Sequence, residues 1–219
     1  MSLYCKKYNY IFIHNPKTAG TTMANLLERV GSSKNSGHRS IESYKKEGID
    51  LESTFKWGFS RNPYDRLVSA YRYHLAHITT FSKKGLRPEW TKTFNDYIVN
   101  LTDIQAASIL HVKEQRHFLC IEGTPSLDFV GKYENLHDDW KYVCNKIFNK
   151  VPELENRNQG RAHGHPALPL DHMLGLQRQK SFNKHEEHLQ YYTPEMIERV
   201  NQIYAKDFEI FGYEMEENR

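Results

Sequence analysis

One lysine and three threonines crowd the ten residues Ile13-His14-Asn15-Pro16-Lys17-Thr18-Ala19-Gly20-Thr21-Thr22, where an apolar run ends and a helical pattern begins. Unpaired N–H groups at a helix start, the positive end of its dipole and a lysine charge would converge on one point, which is the chemistry of a phosphate or sulfate cradle. Lys17, Thr18, Ala19, Gly20, Thr21 and Thr22 are its candidate ligands. The plain alternative is a capped turn bearing a solvent lysine. A nucleoside-triphosphate P-loop does not fit, because G-x-x-x-x-G-K-[ST] needs glycines where Ile11 and Pro16 stand.

A second candidate is Phe59-Ser60-Arg61-Asn62-Pro63-Tyr64-Asp65-Arg66-Leu67-Val68-Ser69-Ala70-Tyr71. Arg61 would leave the carboxyl end of a strand, where open α/β sheets bind ligands, and would offer a planar fork to an anion. Ser69 stands eight positions later, about two helical turns on, and can add a hydroxyl. A kinase or GTPase wants an acidic Mg²⁺ ligand near such a strand end, so arginine here argues for a second phosphate that needs no metal. The bland reading pairs Arg61 with Asp65 and leaves Ser69 to solvent.

These residues need strands and helices to hold them. Residues 8–14, Tyr-Asn-Tyr-Ile-Phe-Ile-His, read as a buried strand closed by Asn15-Pro16. Thr21 or Thr22 would cap the next helix, whose apolar stripe is Met23, Leu26, Leu27 and Val30, and residues 31–37 read as a loop. Residues 55–60 read as a second strand, and Asn62-Pro63 starts a helix buried through Leu67, Val68, Tyr71 and Leu75. Residues 94–110 read as helical and 127–130 as a third strand. A helix near Asn135 or Asp138 follows, burying Trp140, Val143, Cys144 and Ile147. A last helix is capped by Thr193, with Pro194 at its first position. Strands alternating with helices predict an α/β fold with a parallel sheet flanked by helices. The 219 residues read as a single domain, 1–219, with 152–180 as an irregular insertion.

Composition narrows the function. Thirty basic against 27 acidic residues give a net charge of +3, too little for a general nucleic-acid or membrane binder, so any anion site is local. No run of about 18 apolar residues predicts a membrane segment, and no signal-peptide pattern opens the chain, which predicts a soluble protein. Cys5, Cys120 and Cys144 are odd in number and lack C-x-x-C spacing, as expected of ordinary thiols in a reducing compartment. His163, His165, His172 and Asp171 invite a metal reading, but their surroundings set no ligand spacing and no metal is expected.

Together the two motifs resemble the 5′-phosphosulfate loop and 3′-phosphate site of PAPS-dependent sulfotransferases, especially the carbohydrate, Golgi-type group with heparan and chondroitin sulfotransferases. Asp128-Phe-Val-Gly-Lys-Tyr-Glu-Asn-Leu136 with Trp140, and Tyr191-Tyr-Thr-Pro-Glu195 running to Tyr213, are similar as well. Ser60 replaces a common valine, Lys132 stands where arginine is frequent, and 152–180 has no counterpart. The resemblance implies a P-loop-NTPase-like sulfotransferase fold and transfer of a sulfuryl group from PAPS, 3′-phosphoadenosine 5′-phosphosulfate, to a hydroxyl, with a carbohydrate as acceptor. It implies a cytoplasmic protein if of bacterial type, or otherwise a trimmed Golgi-lumenal domain.

Sulfuryl transfer passes through a loose, charge-spread state, so the protein chiefly positions groups and stabilises the leaving phosphate, a role assigned to Lys17. The acceptor needs a base, and among twelve histidines His38 occupies the place where similar enzymes carry theirs. Glu134 is the second candidate; His14 is expected to be structural, while His74 and His77 are candidates to face the acceptor. Lys132 and Asn183 complete the donor contacts the resemblance implies, and Asn183 and Lys184 would lie in a carboxyl-terminal lid. The rival readings are a nucleotide or small-molecule kinase and a non-catalytic nucleotide- or glycan-binding module.

Overall fold

A computed structural model describes residues 2–29, 33–34, 37–148 and 187–217. The chain forms two compact units: one from Met1–Asn62 with Glu114–Arg157, the other from Pro63–Lys113 with Asn158–Arg219.

The first unit carries all the described strands. They are β1 (Leu3–Cys5), β2 (Tyr10–Ile13), β3 (Ser33–Lys34), β4 (Phe55–Ser60), β5 (Cys120–Ile121), β6 (Thr124–Pro125) and β7 (Phe129–Lys132). The main sheet runs in the order β3-β1-β2-β4-β7, and β5 and β6 form a separate hairpin. β2, β4 and β7 are parallel, as alternating strands and helices predict. The sheet is nonetheless mixed, because β1 is antiparallel to both β2 and β3. β1 is only Leu-Tyr-Cys, too short for a periodic signal, and it joins β2 through a tight turn with Asn9 at φ 48°. β3 likewise lies in a stretch that reads as loop.

Tyr10 and Phe12 alternate with Ile11 and Ile13 across β2, and all four are buried, as a strand covered on both faces requires. On one face Phe12 stacks on Trp57 at 4.4 Å, beside Trp140. Met23, Ala24 and Leu27 of the Gly20–Arg29 helix close over them, with Val143 and Cys144 of the Leu136–Ile147 helix. On the other face Gly58 admits Leu119 and Leu127, whose methyls would lie 3.0 and 3.1 Å from an added Cβ. Ile13 pairs with Gly58, and Ser60 with Lys132, so the segments after β2, β4 and β7 leave the sheet at one edge.

The second unit is helical. The Pro63–Ala76 helix packs Tyr64, Leu67, Val68 and Tyr71 against Phe94, Tyr97, Val200, Tyr204 and Phe208. The expected helix at 94–110 is broken into Phe94–Val99, Leu101–Ala106 and a 3₁₀ turn at Leu110–Val112. Thr93 caps the first of these through a reciprocal bond pair with Asp96, and Asn100 ends it. The Pro194–Phe211 helix begins as its sequence predicts, with the Thr193 side chain accepting from the Met196 N–H, and Gly212 closes it in the left-handed region.

Candidate functional site in the first unit

The loop after β2 is tightly determined. Lys17 and Ala19 adopt left-handed φ values of 71° and 60°, each costing a non-glycine residue about 1–2 kcal/mol. The Thr18 hydroxyl donates to the Asn15 carbonyl at 2.8 Å, and Arg61 Nη1 donates to the Lys17 carbonyl at 2.9 Å. The helix begins at Gly20, one residue before the predicted caps. The Thr22 N–H bonds the Ala19 carbonyl at 3.0 Å, which places Thr21 and Thr22 inside the first turn rather than at its cap. Thr18 is buried, Lys17, Ala19 and Thr22 are half-buried, and Thr21 is exposed.

Gly20 is required for close approach. An added Cβ would lie 2.0 Å from Cδ2 of His14, whose ring fills that space. His14 is buried, as expected of a structural residue, and its ring meets that of His38 edge-on at 4.4 Å. His38 Nδ1 lies 3.0 Å from the His14 carbonyl, which can only accept, so Nδ1 carries the proton and the lone pair is on Nε2. Burial, with the Lys17 charge adding to it, lowers the His38 pKa to about 4, so the ring is neutral near neutral pH. Ser2 anchors this arrangement: its hydroxyl accepts from the N–H groups of His14 and Arg39 and donates to the Arg39 carbonyl.

Lys17 and Arg61, the candidate cations from the ends of β2 and β4, face one another electrostatically. Burial and then the Arg61 charge lower the Lys17 pKa to about 7. The Arg61 guanidinium lies over the Tyr133 ring at 4.0 Å. Its backbone N–H donates to Gln115 Oε1 at 2.9 Å, and Gln115 Nε2 donates to its carbonyl at 2.8 Å. Asn15 Nδ2 reaches the same Gln115 oxygen at 2.8 Å and the Phe59 carbonyl at 3.0 Å. Glu134 Oε1 accepts from the Asn62 N–H at 2.7 Å, tying the turn after β7 to the end of β4. The geometry thus gathers the strained loop at Lys17–Ala19, two cations and a neutral imidazole in one unit.

Residues 1–214 match the sulfotransferase family. The chain belongs to that family. Among curated proteins it is similar to carbohydrate sulfotransferase 8 of mouse, 22% identical over 170 residues that cover 65% of this chain and 41% of that protein. It is equally similar to carbohydrate sulfotransferase 8 of human, of which the match covers 40%. The chain therefore spans about two fifths of the length of these relatives. No solved structure is a significant match.

The other candidates are dispersed. Lys132 ends β7 with an exposed side chain, its N–H donating to Asp139. Ser69 is half-buried on the Pro63–Ala76 helix of the second unit. His74 does not face an acceptor: it is fully buried, 2.8 Å from the Tyr97 hydroxyl and 3.2 Å from His111. The apolar spacing of its own helix turns it into the core. His77 is half-buried against Tyr73. Asn183, Lys184, the insertion at 152–180 and the histidines at 163, 165 and 172 lie outside the described residues. Among the described residues no group of three or more His, Cys, Asp or Glu is placed to hold a metal, and no helix is long and apolar enough to cross a membrane. The three cysteines are buried and none is in a disulfide. Sequence reasoning missed Ser2, Asn15, Gln115 and Tyr133. No local pattern marks Gln115, whose partners lie 54 and 100 positions away.

Proposed function

We propose that the protein transfers a sulfuryl group from PAPS to an acceptor hydroxyl on a carbohydrate, through a P-loop-like sulfotransferase site. The observation that carries the reading is the approach of Lys17 to Arg61 at adjacent strand ends. Crowding two cations in a partly buried place is unfavourable, and anionic groups bound at both offset that repulsion. PAPS matches this demand with a 5′-phosphosulfate and a 3′-phosphate. The left-handed loop at Lys17 and Ala19 adds N–H groups of the kind that hold such oxygens.

Within this reading Lys17 and the loop from Thr18 to Thr22 hold the phosphosulfate, and Arg61 serves the 3′-phosphate. Ser69, from its spacing to Arg61, and Lys132 and Asn183, from family resemblance, are assigned to donor contacts. The donor, when bound, supplies a sulfuryl group whose departure leaves charge on a phosphate oxygen. In this reading the protonated Lys17 stabilises that charge. His38 receives the acceptor's proton on Nε2, since its Nδ1 proton is held by the His14 carbonyl. The carbohydrate acceptor is carried over from the names of the relatives.

A thermal-shift comparison tests the reading. Adenosine 3′,5′-bisphosphate at 100 times its Kd stabilises the fold by about 2.7 kcal/mol, and the shift persists in chelator. Stabilisation by ATP only in the presence of Mg²⁺ supports a kinase instead. Bisphosphate binding with no turnover over a broad panel of sugars supports a non-catalytic module.

A further inference from the structure

Gln115 is fully buried, and its side-chain amide touches both anion-binding segments of the first unit. Its oxygen accepts from Asn15 Nδ2, in the loop that leads to Lys17, and from the Arg61 N–H; its nitrogen donates to the Arg61 carbonyl. This pairing with both backbone groups of Arg61 resembles one rung of a strand ladder, and it holds the φ and ψ from which the guanidinium projects. The far end of Arg61 is held by the Lys17 carbonyl and the Tyr133 ring. The arrangement carries a penalty elsewhere. With Nδ2 of Asn15 committed to Gln115 and Phe59, Asn15 Oδ1 is buried with no donor among the described residues, an orphaning that costs about 1–3 kcal/mol. Flipping the amide would only set that oxygen against two acceptors. A penalty retained beside a strained loop is expected where placement matters more than stability.

We infer that Gln115 is a positioning residue that sets the spacing of Lys17 and Arg61, and thereby lets the site favour an adenosine ligand with two separated phosphates over one with a single phosphate. The inference rests on the donor reading above. It adds that discrimination of the 3′-phosphate comes from a buried neutral amide as much as from the charge it positions.

Isothermal titration of adenosine 3′,5′-bisphosphate and adenosine 5′-phosphate into the wild-type protein, Gln115→Met, Arg61→Ala and the double variant tests it. Gln115→Met keeps the volume but removes the polar contacts. It is expected to lose about tenfold or more in bisphosphate affinity, the scale of a small misplacement. Adenosine 5′-phosphate should change by less than about threefold, and in the Arg61→Ala background the same change should have almost no effect on either ligand. A folded Gln115→Met that keeps its bisphosphate preference overturns the inference. So do losses that simply add in the double variant, since Gln115 would then act independently of Arg61. Gln115→Ala repeats the test should Gln115→Met not fold; failure of both to fold would assign Gln115 to stability and also overturn it. A wild-type protein that binds neither nucleotide would instead refute the donor reading.

Discussion

On the donor reading proposed above, the Lys17 pKa of about 7 makes ligand binding a proton-linked event. In the free protein burial and Arg61 disfavour the ammonium; a bound phosphate reverses the balance and returns Lys17 toward its ordinary value of 10.5. At about pH 7.5 only about a quarter of free Lys17 is charged, so binding adenosine 3′,5′-bisphosphate takes up about 0.8 proton per site. The sign follows from a bound-state pKa above the free-state one. Affinity is at its full value below about pH 7 and declines as pH rises toward the bound-state pKa. Between pH 7 and pH 9 the loss is about 50-fold, a range in which phosphates, with second pKa near 6, are already fully ionised. Calorimetry in buffers of different ionisation enthalpy reads the proton uptake directly, and the pH series reads the slope. Lys17→Arg, which stays charged throughout, should abolish both. An affinity that is flat from pH 7 to 9, or a Lys17→Arg variant that keeps the slope, would refute the argument.

Two further outcomes follow from the same geometry. His38→Ala should reduce sulfuryl transfer by about 10²–10⁴-fold while changing bisphosphate affinity by less than about threefold; because His38 is neutral above its pKa of about 4, the wild-type kcat/KM should show no acidic limb near the ordinary histidine value of 6.5. An acidic limb at that ordinary value that vanishes in His38→Ala would contradict the burial argument, and retained transfer would move the base elsewhere. Gly20→Ala should destabilise the fold by about 1–3 kcal/mol in urea titrations, because its methyl group would overlap the His14 ring; a loss below about 0.5 kcal/mol would show that the ring has room to yield.

Local chemistry made the outline of the site readable. Lys17 and Arg61 follow short aromatic-rich runs that read as strands, and the Leu136–Ile147 and Pro194–Phe211 helices show their apolar stripes at helical spacing. The family resemblance, read on the same motifs, agrees with the match over residues 1–214. Side-chain direction was less readable. His74 lies on the apolar stripe of its helix, but its partners Tyr97 and His111 are residues that chain spacing does not bring together. β1 and β3 were hidden because three- and two-residue strands carry no period.

The sequence alone determined that a lysine-bearing turn and an arginine-bearing turn each follow a strand, because hydrophobic period and turn chemistry are local properties of the chain. Only the tertiary structure decided that Lys17 and Arg61 meet, that the His14 carbonyl holds Nδ1 of His38, and that Gln115 joins the two turns. Those outcomes depend on strand register and on burial, which couple residues far apart in the chain and set the charge each group can carry.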